Sequence, residues 1–99
     1  MLHIVNKSPF EKNSLESCLS CAKDGSVVLL IEDGVYGALK GSSVSDTLQG
    51  ALSKVKIYAL ESDVKLRGIA DKVMDGINLT DVNGFVDLAA EQDKTQSWL

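Results

Sequence analysis

The stretch Ser17 to Gly25, SCLSCAKDG, holds both cysteines of the chain, Cys18 and Cys21, in a C-x-x-C spacing. Two thiols so placed fit four chemistries: a redox pair, half of a metal site, a thiol that carries sulfur, or two small core residues. A dithiol oxidoreductase sets its pair at a helix N-terminus, where the positive end of the dipole lowers the pKa of the attacking thiol. Here the pair falls in the second half of its predicted helix, where the dipole disfavours a thiolate, and Lys23 is the only nearby cation. A structural zinc takes about four ligands. The chain adds one histidine, His3, to the two cysteines, and no acidic spacing completes a set. Neither a metal nor a cofactor is expected. Cys18 shares an inward face with Leu15, Leu19 and Ala22, whereas Cys21 lies on the flank. Cys18 is then either a core filler, as buried cysteines often are, or a thiol just under the surface that takes sulfur from a partner supplying its own activation.

The other chemically able residues are weaker. Glu32-Asp33-Gly34 follows the central apolar run, where a carboxylate could accept phosphate as in receiver domains. The acidic cluster and late lysine that such domains need have no place here, so Asp33 is expected to cap the next short helix and Gly34 to permit the turn. His3 has no placed partner and reads as structural. Ser8 lacks a Ser-His-Asp context. Tyr36 and Trp98 are expected at exposed positions, either as interface aromatics or packed on the domain's own helices. No glycine motif cradles a phosphate.

The elements that must carry these residues follow from periodicity. Leu2–Val5 reads as a strand ended by Asn6-Lys7-Ser8-Pro9. A helix capped by Asn13 or Ser14 carries both cysteines and ends at Asp24-Gly25. Ser26–Ile31 is a strand covered on both faces. A short helix or turn spans Val35–Leu39, and a helix spans Ser45–Ser53 with Leu48, Ala51 and Leu52 inward. Val55–Leu60 is the third strand. Ser62 caps a helix through Leu66 and Arg67. Lys72–Met74 and Ile77–Leu79 are short strand candidates, and Asp81 caps a last helix through Val82, Phe85, Val86 and Ala89. The tail from Asp93 is left without an element. Strands alternating with helices predict an α/β fold: one domain over residues 1–99, layered, with a mostly parallel central sheet and helices on both faces. Functional loops in such sheets lie beyond the strand C-termini, here Asn6–Phe10, Glu32–Tyr36 and Leu60–Asp63.

Composition narrows the function classes. Hydrophobic residues make up 44% of the 99, enough for a core, and the longest apolar run, Val27 to Ile31, is far too short to span a membrane. The start MLHIVNKS lacks the basic and long apolar regions of a signal peptide. A cytoplasmic protein with reduced thiols and no membrane partner is expected. The net charge is −4 and the ten basic residues are scattered. Nucleic-acid affinity rests largely on phosphate neutralisation, so direct binding to RNA or DNA is not expected.

Taken together, LHIVNKSPFEKNSLESCL, VLLIEDGVYGAL, KIYALESDVKLRG and FVDLAAEQDKTQSWL resemble the DsrH/TusB family of the DsrE/DsrF/DsrH-like superfamily, over essentially the whole chain. The resemblance implies a small α/β subunit of a heterohexamer with DsrE/TusD-like and DsrF/TusC-like partners. Such a complex relays persulfide sulfur to a downstream acceptor protein, either toward 2-thiouridine at the tRNA wobble position or in cytoplasmic sulfur oxidation. The principal acceptor cysteine is expected on the DsrE/TusD-like partner, which makes this chain an accessory subunit of a sulfurtransferase. Sulfur-oxidiser members carry a first-helix cysteine at the place of Cys18, so NSLESCL leans to that branch and Cys18 becomes the candidate sulfur-handling thiol. Cys21 matches no family cysteine and is expected to be a bystander. The alternatives are a purely structural interaction subunit with an inert Cys18, or a small thiol-disulfide oxidoreductase using both cysteines.

Overall fold

The computed structural model describes residues 1–98; Leu99, at the end of the tail considered above, lies outside the described residues. Five strands form one sheet: β1 (Leu2–Val5), β2 (Val27–Leu30), β3 (Lys56–Leu60), β4 (Asn78–Thr80) and β5 (Thr95–Trp98). Their order is β4-β3-β2-β1-β5, and every neighbouring pair is parallel. Four α-helices connect them: α1 (Ser14–Cys21), α2 (Ser45–Ala51), α3 (Glu61–Leu66) and α4 (Val82–Glu91), with 3-10 segments at Glu32–Ala38 and Ala70–Lys72. The expected α/β layering with helices on both faces is thus what forms.

Connection handedness decides which face each helix covers. From β1 to β4 the chain steps one way across the sheet, and right-handed crossovers then put every connection on one face. From β4 it returns past β1 to β5, which puts α4 on the other. The packing follows. Leu15, Cys18, Leu19, Val35, Ala38, Leu48 and Val64 meet Val5, Val28, Leu30, Ile57 and Ala59 in the main core. Leu2, Val27 and Leu29 point the opposite way, under Phe85, Leu88 and Ala89 of α4. β2 is enclosed on both sides, which accounts for its unbroken VVLL. Each fully buried leucine of this kind contributes about 1.5–3 kcal/mol relative to exposure. The α4 layer is thinner: no residue of that helix is fully buried, and Val82 and Val86 face outward at 58% and 60% exposure.

The differences from the sequence expectation are local. β5 was not expected; its sequence TQSW is polar, and only Trp98 packs on the core. Lys72–Met74 is not a strand but contributes one antiparallel bridge, Leu39 to Val73. The fourth strand sits at Asn78–Thr80, one residue beyond Ile77–Leu79. Asp81 caps α4 as expected, its Oδ1 accepting the Gly84 N–H at 2.8 Å. Ser62, expected to cap α3, lies inside that helix, and Leu60 takes the cap position. α1 ends at Cys21, before Asp24-Gly25, with Ala22 already extended and Gly25 at φ +85°.

Candidate functional site

Residues i and i+3 of a helix stand about 60° apart, and that angle separates the two thiols. Cys18 faces the sheet with Leu15 and Leu19 and is 0% exposed. Cys21, in the last residue of α1, is exposed. Both are free. Burial pushes the Cys18 thiol from its ordinary 9.0 up to about 12, with a smaller push from Cys21. Cys18 therefore stays protonated in the folded chain, and no attacking group reaches it without movement of α1. A thiol pKa raised by folding stabilises the fold fully below the unfolded value, and that stability is lost as pH rises through the folded one. Between about pH 9 and 12 the parent should lose up to ~1.4 kcal/mol per pH unit relative to Cys18→Ala. Chemical denaturation of both chains across that range reads the difference.

The three loops at the strand C-termini do come together, though for support. The Glu32 N–H donates to Asp63 Oδ2 at 2.7 Å, holding Glu32 at φ +49°. Arg67 Nε and Nη2 both donate to Asp33 Oδ1, at 3.1 and 2.9 Å, and Nη1 lies 3.7 Å from Asp63 Oδ1. The guanidinium sits 6.0 Å from the centroid of the Tyr36 ring. Asp33 thus makes no helix cap; it ties the end of β2 to the end of α3. Gly34 is required by proximity rather than by the turn, since a Cβ there would strike the carbonyl of Val5. Removing the charge in Arg67→Gln leaves two neighbouring carboxylates unpaired. Because Asp33 is half exposed, the expected loss is only about 1 kcal/mol; a lowered urea midpoint, with a gap to the parent that narrows in added salt, is the readout.

The remaining candidates are structural in their contacts. Ser8 is buried; its Oγ accepts the Phe10 N–H at 3.2 Å. Tyr36 and Trp98, expected at exposed positions, are half-buried and pack on the main core. His3 pairs with Gln96 in the sheet register, so Trp98 two residues on shares its face. The Trp98 Nε1–H donates to His3 Nδ1 at 3.1 Å, with ring centroids 6.1 Å apart. Burial, and next the positive charge of the Met1 amino group, lower the His3 pKa, so the ring is neutral at pH 7. No group of three or more metal-ligating side chains comes together among the described residues.

A cleft of about 440 Å³ opens at the opposite edge, where β1, β2 and β5 begin. Cys21 and His3 both line it. Sequence reasoning looked to the strand C-termini and missed this cleft, whose walls meet only once β5 docks beside β1. The one signal present was the C-x-x-C itself, read at the level of helical angle.

An all-parallel sheet with three α-helices on one face and a lone helix on the other defines a class of small α/β domains. The chain superposes on the ychN protein of E. coli with a TM-score of 0.78 at 18% identity, covering 97% of each chain. It superposes on protein MTH1491 of Methanobacterium thermoautotrophicum with a TM-score of 0.72 at 14% identity, covering 97% and 95%. These matches show the shared fold. The sequence profile described as DsrH like protein matches residues 7–95, and the chain belongs to that family. Among its relatives are proteins named TusB: 34% identical in Enterobacter sp. (strain 638), 32% in Pectobacterium parmentieri and 31% in Escherichia coli (strain K12). Each match runs over 98 residues, 99% of this chain and all of the relative. No helix among the described residues is long and apolar enough to cross a membrane.

Proposed function

We propose that this chain is the TusB-type subunit of a cytoplasmic sulfur relay, working beside TusC- and TusD-like subunits in a heterohexamer that passes persulfide sulfur toward 2-thiouridine at the tRNA wobble position. The observation that carries the reading is the end-to-end match to proteins named TusB. The charge of −4 supports it, because a subunit with scattered cations leaves tRNA contact to another protein of the relay. Burial of Cys18 supports an accessory role, with the principal acceptor cysteine on the TusD-like partner. Sulfur handling by Cys18, which the family resemblance implies, demands that partner docking shift α1 and open the core.

The test is deletion of the gene, followed by measurement of wobble 2-thiouridine in bulk tRNA and co-purification of the chain with its TusC- and TusD-like neighbours. Loss of the modification, restored by the parent gene, is expected, together with a stable three-component complex. Full thiolation in the deletion strain, or no complex, overturns the proposal. Complementation by Cys18→Ser decides the cysteine: full rescue removes Cys18 from the chemistry. A second reading, sulfur oxidation, is favoured by the cysteine at the place of Cys18. It replaces the first if dissimilatory sulfite reductase genes adjoin this one and the deletion impairs sulfur oxidation instead.

A further inference from the structure

The cleft beside β5 is not used by the relay reading above, yet it holds an accessible thiol with chemistry around it. His3, Cys21, Lys23, Asp24, Asp93 and Lys94 line it. Lys23, Lys94 and the N-terminal residue Met1 share the lining with Asp24 and Asp93, so the cleft lacks the negative excess of the chain as a whole. Cys21 is exposed and free. His3 is 3% exposed, and the bond from Trp98 engages only Nδ1. That bond fixes the tautomer: Nδ1 accepts, so the neutral ring carries its proton on Nε2. Nε2 has no hydrogen-bond partner among the described residues. The one fully enclosed side-chain polar atom without a partner among them is Asn6 Oδ1, so Nε2 is not fully enclosed, and His3 is part of the cleft lining. A nearly buried imidazole, held by a tryptophan and lining the same cleft as an exposed thiol, has an Nε2–H to offer a sulfur anion there.

We propose that Cys21 is a persulfide acceptor, taking the outer sulfur of a persulfide bound in this cleft, with the His3 Nε2–H donating to the departing thiolate. The inference rests on the relay reading and names the entry point of sulfur on this chain. The Cys21 thiolate attacks the outer sulfur of R–S–SH. The Sγ–S bond forms as the bond between the two donor sulfurs breaks, and its electron pair leaves on R–S⁻. The proton stays on the transferred sulfur, giving Cys21–S–SH. One thiolate replaces another, and no outside oxidant or reductant is consumed. A hydrogen bond from Nε2 stabilises the negative charge that grows on the leaving sulfur.

The folded chain is mixed with glutathione persulfide and followed by intact-mass spectrometry, with fragmentation to place the added sulfur. The parent gains one sulfur atom on Cys21, and Cys21→Ser gains none. His3→Phe slows the gain by roughly tenfold, at or below the low end of what one donor to a developing anion contributes in an enclosed site. His3→Gln, which keeps an N–H donor, restores most of the rate. Alkylation of Cys21 by iodoacetamide, which needs no such donor, proceeds equally in the parent and in the two His3 variants. Sulfur uptake by Cys21→Ser, or equal uptake rates with and without the His3 donor, overturns the inference and leaves Cys21 an ordinary exposed thiol. Assembly is scored separately. A Cys21→Ser chain that still forms the complex and supports full tRNA thiolation overturns this inference alone, whereas failure of the parent to assemble overturns the relay reading.

Discussion

In neutral buffer with excess iodoacetamide, the folded chain takes up one carboxamidomethyl group quickly, at Cys21, and the second only when the fold opens. Two separate barriers protect Cys18. Its thiol is raised to about 12 against an ordinary 9.0. The thiolate is the nucleophile, and that shift alone lowers the reactive fraction about a thousandfold at neutral pH. The side chain is also wholly enclosed between α1 and the sheet, so reagent must await an opening. The rate of the second addition then reports the population of that opening, and small amounts of urea accelerate it. Adding the proposed TusC- and TusD-like partners makes the measurement decisive. Faster labelling of Cys18 in the complex shows that docking opens α1 and gives that cysteine a part in the chemistry. Unchanged or slower labelling keeps Cys18 a core residue. Two labels added at equal speed to the isolated chain contradict the packing of α1.

Gly34→Ala should be among the most damaging single-methyl changes in the chain. The added Cβ strikes the Val5 carbonyl oxygen and comes within 2.9 Å of its carbon. That oxygen already accepts the Ile31 N–H at 3.0 Å, so relief of the clash pulls on the β1–β2 ladder at the centre of the sheet. No flexible side chain is available to yield; the obstacle is backbone. Overpacking a rigid site costs about 1–3 kcal/mol and occasionally more, and this position belongs at the upper end. With a urea m-value of about 1–3 kcal/mol/M for a small domain, the midpoint should fall by roughly 1 M or more. Gly50→Ala is the control, since a Cβ there meets nothing within 4 Å. Equal midpoints for the two variants would show that the approach of Gly34 to β1 relaxes without cost.

The sequence carried the parts of the fold that local pattern encodes. β1, β2 and β3 each stand on an apolar run, and Asp81 announces α4 by its cap. The inward face of α1 was readable because Leu15, Cys18 and Leu19 recur at helical spacing. β5 was unreadable for the matching reason: Thr95, Gln96 and Ser97 are exposed at the sheet edge, so neither composition nor alternation marks them. The Arg67 bridge to Asp33 joins residues 34 apart, and the Trp98 bond to His3 spans 95. Neither leaves a trace in any window of sequence. The candidate site was half legible on the same logic. The helical angle told the two cysteines apart, but the cleft that makes one of them useful comes from tertiary pairing.

That longest bond also sets an order of events. Closing a loop across nearly the whole chain costs more entropy than closing the short crossovers from β1 to β4, and contacts of such span form late. The four strands β1 to β4 can pair before the tail arrives, and β5 then docks last, bringing Trp98 to His3 and completing the cleft. The same strand is the natural first to detach. Amide exchange along β5 should outpace exchange along β2, and each detachment wets the imidazole and dismantles the cleft wall while the main core and Cys18 stay closed.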